Sequence, residues 1–296
     1  MAEHPAVALH VGAHKTATTH LQQAIRAQRR ALLAQGVGFF GPPHFRSHRF
    51  PFREVMAWRG APEALRARHA PGLVGRHARL SRLVLSEENI LGGAHDDEMF
   101  EQGRFYPRAG ARLARFMAAA GAERVTLFLA VRDPASFLLS AYSQKLLSGS
   151  PLAFDSFIGA LAPVRLSWLE LLARLLAVPG VAHCVVWRFE DYPAVAGEVL
   201  DRMLAPAGAV RVPLPEQPAH QGLSARAQAH VMAWLQAGAC GDAAGIARAA
   251  RARFPKSSAE PGFAPLDAAT LAATARAYGH DLDRIAALPR VTLLRA

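Results

Sequence analysis

The chain has 296 residues, 51% hydrophobic and 19% charged, enough for the core of one large α/β domain and too apolar for a disordered chain. The formal net charge is +11 at pH 7, but the basic residues are scattered and nearly all arginine (Lys15, Lys145 and Lys256 are the only lysines), so no nucleic-acid partner is expected. The longest apolar stretch, Leu113 to Val131, is broken by Arg115, Glu123 and Arg124, so no membrane span is expected either.

The first residues, Met1 to Pro5, lack a basic region followed by an apolar one, and no signal peptide is expected. Ala6 to Val11 predicts a strand, ended by Gly12. Leu21, Ala24, Ile25, Leu32 and Leu33 share helical spacing, which predicts a helix stopped at Gln35-Gly36. Val37 to Phe40 predicts a second strand, closed by Gly41-Pro42-Pro43. Strand, helix and strand at this length make a βαβ unit and hence a parallel sheet. Phe45 to Arg82 reads as Arg-rich helix interrupted at Pro71-Gly72, and Leu83 to Ser86 as a third strand. Phe105 to Ala120 predicts a helix and Val125 to Val131 a fourth strand. Asp133-Pro134 then supplies the cap and first residue of a helix reaching about Leu147. Leu166 to Leu176 predicts another helix and Val181 to Phe189 a fifth strand. The rest reads as mostly helical, with a Pro-rich crossing at Val212 to Pro218 and a loop at Phe254 to Pro265.

The expected fold class is therefore α/β: three layers, a mostly parallel sheet of about five strands flanked by helices, P-loop-like, with a helical C-terminal portion. No linker divides the chain, so residues 1–296 read as one domain, with 1–195 the cofactor-binding core and 196–296 its mostly helical completion. Cys184 and Cys240 read as free thiols of a reducing compartment, and a cytoplasmic location is expected.

The most informative segment is Gly12-Ala13-His14-Lys15-Thr16-Ala17-Thr18-Thr19, between the first strand and the first helix. The amino end of a helix offers unpaired N–H groups and the positive end of its dipole. A phosphate there meets those amides, the hydroxyls of Thr16, Thr18 and Thr19, and the Lys15 ammonium. The plainer alternative is a turn whose threonines only cap the helix, but a cap uses one such residue, not three beside a lysine. The segment is not a Walker A loop, which ends in Gly-Lys-Ser/Thr; here His14 precedes Lys15. After the fourth strand, Arg132 emerges at the carboxyl edge of the sheet, where open α/β sheets bind ligands. Ser140, two turns into the next helix, can face the same edge, and a guanidinium fork with a hydroxyl suits a phosphate.

Gly12-x-His14-Lys15-Thr16-x-Thr18-Thr19-x-Leu21-Gln22 resembles the 5′-phosphosulfate loop of the sulfotransferases that use 3′-phosphoadenosine-5′-phosphosulfate (PAPS), in their bacterial branch. Val131-Arg132-Asp133-Pro134 with Ser140 and Tyr142 is similar to that family's 3′-phosphate motif, and Val186 to Tyr192 to its strand-then-Glu-Asp stretch. The resemblance implies transfer of a sulfuryl group from PAPS to a hydroxyl or amine of a small-molecule or glycan-like acceptor, with release of 3′,5′-ADP and no required metal. It implies cofactor binding by Lys15, Thr16, Ala17, Thr18, Thr19, Arg132 and Ser140, with Lys15 also acting on the leaving group. Ala17 departs from the family, which often has Gly there, and a positive φ would strain an alanine.

Two places compete for the base. The resemblance favours Glu88 within Ser86-Glu87-Glu88-Asn89, with Glu87 beside it. His48, with His44 second, follows the second strand and needs little pKa tuning. Lys256 is a further candidate for the 3′-phosphate, Lys145 reads as a surface residue, and His10 as a satisfied core histidine. The competing functions are a kinase-like phosphotransferase with a degenerate P-loop and a non-catalytic PAPS-binding protein. The acceptor pocket is expected from Phe45 to Arg82 and the C-terminal helices.

Overall fold

The computed structural model describes residues 5–47, 50–93, 99–101, 104–147, 152–159, 161–205, 210–215, 223–238, 242–258 and 260–296. The strands are β1 (Ala6–His10), β2 (Val37–Phe40), β3 (Arg82–Ser86), the short β4 (Phe100–Glu101) and β5 (Arg104–Phe105), β6 (Val125–Val131), β7 (Val181–Arg188) and β8 (Val291–Leu294). The helices are α1 (Thr18–Ala27), α2 (Arg29–Ala34), α3 (Pro42–Phe45), α4 (Phe52–Ala57), α5 (Pro62–His69), α6 (Gly72–Arg76) and α7 (Ala109–Ala120). They continue with α8 (Pro134–Leu147), α9 (Phe154–Ile158), α10 (Trp168–Leu176), α11 (Tyr192–Leu204), α12 (Ala225–Gln236), α13 (Ala243–Arg253) and α14 (Ala268–Ala286).

The chain divides into two compact units. The first takes in Met1–Arg132, Trp168–Gln217 and Asp281–Ala296 and holds a six-stranded sheet in the order β2-β3-β1-β6-β7-β8. Every neighbouring pair in it is parallel. β8 extends the expected five strands to six, because Val291–Leu294 returns to pair with β7. One sheet face carries Ala8, Val84, Phe128, Val185 and Trp187, packed against Leu21 and Ile25 of α1 and Val195 and Val199 of α11. On the other face α10 packs on β7, and α7 packs on α10 and on α4, α5 and α6. Buried on both faces, these strands read as near-continuous apolar runs, which is why they were legible.

The second unit, Asp133–Ser167 and Pro218–His280, is helical. Its core joins Tyr142 and Leu146 of α8 to Phe154, Leu223, Ala227, Val231, Ala247 and Ala250. Ser224 caps α12, its side chain accepting from the Ala227 N–H at 3.1 Å.

Several local expectations change. The first helix breaks at Gln28, Leu32 is buried, and Leu33 is 56% exposed, since it lies about 100° around the helix from Leu32. The stretch after Phe45 is not one interrupted helix but a series of short ones, each starting at or directly after a proline or glycine. The helix expected from Phe105 starts at Ala109, because Arg104–Phe105 pairs with Phe100–Glu101 and Tyr106 takes φ 45°. α11 runs across the expected boundary at residue 195. Among the described residues, no single helix is long and apolar enough to cross a membrane.

Candidate active site

After His10 the chain peels from β1 toward β6, with the N–H groups of Val11 and Gly12 both directed at the Phe128 carbonyl (3.1 and 3.4 Å). Gly12 has φ 42°, and a Cβ on it would lie 2.5 Å from Thr18 Oγ1 and 3.2 Å from His10 Nε2. Only glycine fits that turn. Thr16 and Thr18 are buried, and their hydroxyls donate inward to the Ala13 carbonyl at 2.7 and 3.3 Å. They hold the turn shut, while Lys15, Ala17 and Thr19 stay partly exposed on its outer side.

Lys15 and Ala17 both adopt left-handed backbone, φ 64° and 63°. Such residues among right-handed neighbours turn successive amides to one side, a concavity that binds anions. Among the described residues, the N–H groups of Thr16, Ala17, Thr18 and Thr19 have no protein acceptor. The helix they lead into has no side-chain cap. Ala17 sits at a conformation that costs an alanine roughly 1 to 2 kcal/mol. The departure from glycine there therefore carries the strain anticipated for it.

Arg132, at the end of β6, donates from Nη1 to the Lys15 carbonyl at 2.7 Å. Its guanidinium lies 4.4 Å from the Phe189 ring centroid, and its own carbonyl accepts from Trp168 Nε1 at 2.6 Å. Lys15 and Arg132 thus share one edge of the sheet.

The turn after β3 stands beside this loop, because His10 and Ser86 are register partners. Glu87 is wholly buried and accepts two bonds from Arg46, Nε to Oε2 at 3.0 Å and Nη2 to Oε1 at 2.7 Å. It also caps the following turn by accepting from the Asn89 N–H at 3.1 Å. The Glu88 side chain is 16% exposed and accepts from Arg46 Nη2 at 2.8 Å and from Gln22 Nε2 of α1 at 3.1 Å. Burial raises the Glu87 carboxyl above its ordinary pKa despite Arg46. Burial pushes Glu88 the same way, but its own backbone N–H, Arg46 and His14 outweigh that and hold it below the usual range. Arg112 fixes the turn from behind, donating to the carbonyls of Ile90 (3.1 Å) and Asn89 (2.7 Å).

Two buried histidines join the turns. His14 Nε2 meets Asn89 Oδ1 at 3.1 Å, and Tyr106 Oη lies 3.0 Å from His14 Nδ1 while accepting the His14 backbone N–H at 2.9 Å. Burial lowers the His14 pKa. His10 Nδ1 lies 2.8 Å from Ser86 Oγ, which accepts from Gln22 Nε2 at 3.0 Å. With Ser86 Oγ accepting from Gln22, its hydroxyl donates to His10 Nδ1, and the neutral ring carries its own proton on Nε2. Among the described residues, that Nε2, beneath Gly12, has no partner, nor has Nε1 of Trp187, whose ring stacks on His10 at 5.9 Å. His10 is therefore a core histidine satisfied at one nitrogen only, and burial, against a smaller effect of Glu88, lowers its pKa to about 4.

The loop residues, Arg132, Glu87 and Glu88 thus come together on one unit. Ser140 lies half-buried on α8 in the second unit, where Tyr142 belongs to the core and donates to the Leu152 carbonyl at 3.0 Å. Lys145 is also on α8, and Lys256 is exposed on the second unit. His44 lines a separate cavity, and His48 falls outside the described residues. Sequence reasoning missed Arg46, Arg112 and Tyr106. The arginines are two among many, and Tyr106 falls within the segment whose spacing predicts a helix, although that helix starts after it.

No family model matches the chain, and no curated protein does. Among solved structures it is similar to one titled as a sulfotransferase from Alicyclobacillus acidocaldarius. That likeness is at 16% identity and TM-score 0.39, covering 74% of this chain and 86% of that one.

Proposed function

We propose that the chain is a PAPS-dependent sulfotransferase acting on a hydroxyl or amine of a small-molecule or glycan-like acceptor. The observation that carries this reading is the run of unaccepted amides from Thr16 to Thr19 beside Lys15, with Arg132 bonded to the same loop. Amides, an ammonium and a guanidinium on one rim fit a ligand with several anionic groups. The loop would hold the 5′-phosphosulfate and Arg132 the 3′-phosphate. Bound there, PAPS supplies an activated sulfuryl group whose S–O bond to the phosphate breaks as the acceptor attacks.

Lys15 would neutralise charge on the departing phosphate oxygen. The acceptor's proton goes to Glu88, the less buried member of the acidic pair. Glu87 is committed to Arg46 and to the turn it caps. A carboxylate held as low as Glu88 is a weak base, so it takes the proton late, once bond formation to sulfur has acidified the acceptor. One observation favours a protein that binds PAPS without transferring from it: both Glu88 oxygens are already engaged, by Arg46 and Gln22.

Thermal melting with 3′,5′-ADP, ADP and ATP·Mg²⁺ tests the donor site. At a hundredfold excess over Kd, the bisphosphate should stabilise the protein by about 2.7 kcal/mol, with ADP and ATP·Mg²⁺ far behind. Equal stabilisation by all three would refute a 3′-phosphate site. Transfer of labelled sulfate from PAPS separates enzyme from binding protein. Lys15→Ala should lower that transfer by about 10² to 10³, and full activity in this variant would remove the reading.

A further inference from the structure

Away from the loop, the first unit has a half-open cavity of about 480 Å³ lined by His44, Phe50, His69, Leu73, Arg76 and His77 among others. That volume suits a small organic ligand. Phe50 and Leu73 give it apolar walls, and none of its lining residues is acidic. The ring of Phe40 packs edge-on against both His44 (4.9 Å) and His77 (4.7 Å), which fixes the two imidazoles. His77 donates from Nδ1 to the Leu73 carbonyl at 2.8 Å, which sets its tautomer.

Two polar groups are left over. His69 Nε2 is shielded from solvent and has no hydrogen-bond partner among the described residues. Arg76 is exposed and has no carboxylate partner among the described residues. Glu54 pairs with Arg68 at 2.8 Å and Glu123 with Arg66 at 3.1 Å. A buried unpartnered imidazole nitrogen and an unneutralised guanidinium on an apolar cavity form one half of an ion pair with an apolar body.

We infer that this cavity binds a small organic anion, an aromatic or aliphatic body carrying a carboxylate, sulfate or phosphate. Arg76 and His69 take the anionic group, and Phe50 and Leu73 take the body. The inference does not rest on the donor reading, since every residue it uses lies outside the phosphate loop. The cavity wall and the clamp on Glu87 and Glu88 do share one short segment, since His44 is two residues from Arg46.

Titration of the full chain with benzoate, benzyl alcohol and inorganic sulfate tests it, read by calorimetry and by the histidine ring-proton NMR signals. Benzoate should bind about tenfold or more tighter than benzyl alcohol, the worth of one charge-assisted contact, and should shift three histidine signals. Arg76→Gln, an exposed change, should weaken benzoate about tenfold and leave benzyl alcohol unchanged. His69→Phe, close in size to the parent side chain, should weaken benzoate about tenfold by removing the imidazole donor. The inference is overturned if benzoate does not bind, if benzyl alcohol binds equally, or if Arg76→Gln binds benzoate like the parent. Inorganic sulfate binding as tightly as benzoate would also overturn it, since the apolar walls would then contribute nothing.

Discussion

The turns after β1 and β3 leave the sheet at the same register, His10 opposite Ser86, yet they are built from opposite chemistry. The first presents backbone donors that no group among the described residues accepts. The second presents two carboxylates whose oxygens are taken by Arg46, Gln22 and the Asn89 amide. Burial explains the contrast. Amides at a partly exposed helix end stay solvated until an anion replaces the water, whereas a wholly buried carboxylate without a counter-ion costs several kcal/mol. The donor turn can be left open for a ligand, and the acidic turn has to be locked. Only Glu88, the member with some exposure, keeps access to solvent.

The sharpest way to break this contrast is to neutralise each glutamate in turn. Glu88→Gln should cut sulfuryl transfer by about 10² to 10⁴ while leaving the melting temperature close to the parent's. Glu87→Gln should instead cost roughly 1 to 3 kcal/mol of stability in urea unfolding, because its buried bonds to Arg46 and Asn89 are weakened. If Glu87→Gln abolishes transfer in a fully stable protein and Glu88→Gln does not, the roles are reversed.

A smaller effect tests the histidine beneath the first turn. The folded pKa of His10, about 4, lies below its ordinary 6.5. The unfolded chain therefore takes up the proton first as pH falls. His10 costs nothing above pH 6.5, and its penalty grows through the window from 6.5 to 4, reaching on the order of 3 kcal/mol. Unfolding free energies from pH 7.5 to 4 should show this slope, and His10→Asn should flatten it. An unchanged slope would mean that the imidazole is solvated.

The smallest expected effect concerns the strain in the first turn. Ala17→Gly should stabilise the protein by about 1 kcal/mol, since glycine takes φ 63° without a Cβ clash. Binding of 3′,5′-ADP should not weaken. A loss of stability would show that packing of the Ala17 methyl against the core outweighs its backbone strain.

The donor turn was legible because its signal is local. A strand, a glycine and a Lys-Thr-rich helix start lie within one short segment, and main-chain amides follow from backbone shape alone. Glu87 and Glu88 were legible as candidates for the same reason, both at the end of a strand. Their division of labour was not, because it depends on Arg46, which arrives from beyond β2. Tyr106 was hidden likewise, its hydroxyl reaching His14 across 92 positions of sequence.

What the sequence determined by itself is the α/β class, the strands of the sheet apart from β8, and the place of the turn between β1 and α1, all products of short-range periodicity and turn chemistry. The tertiary structure alone decided that β8 closes the sheet, that Thr16 and Thr18 point inward, that His10 keeps an unpartnered nitrogen, and which glutamate is locked. Each of those depends on groups far apart in sequence sharing a buried space. There, desolvation makes every polar atom find a partner or stand out for lacking one.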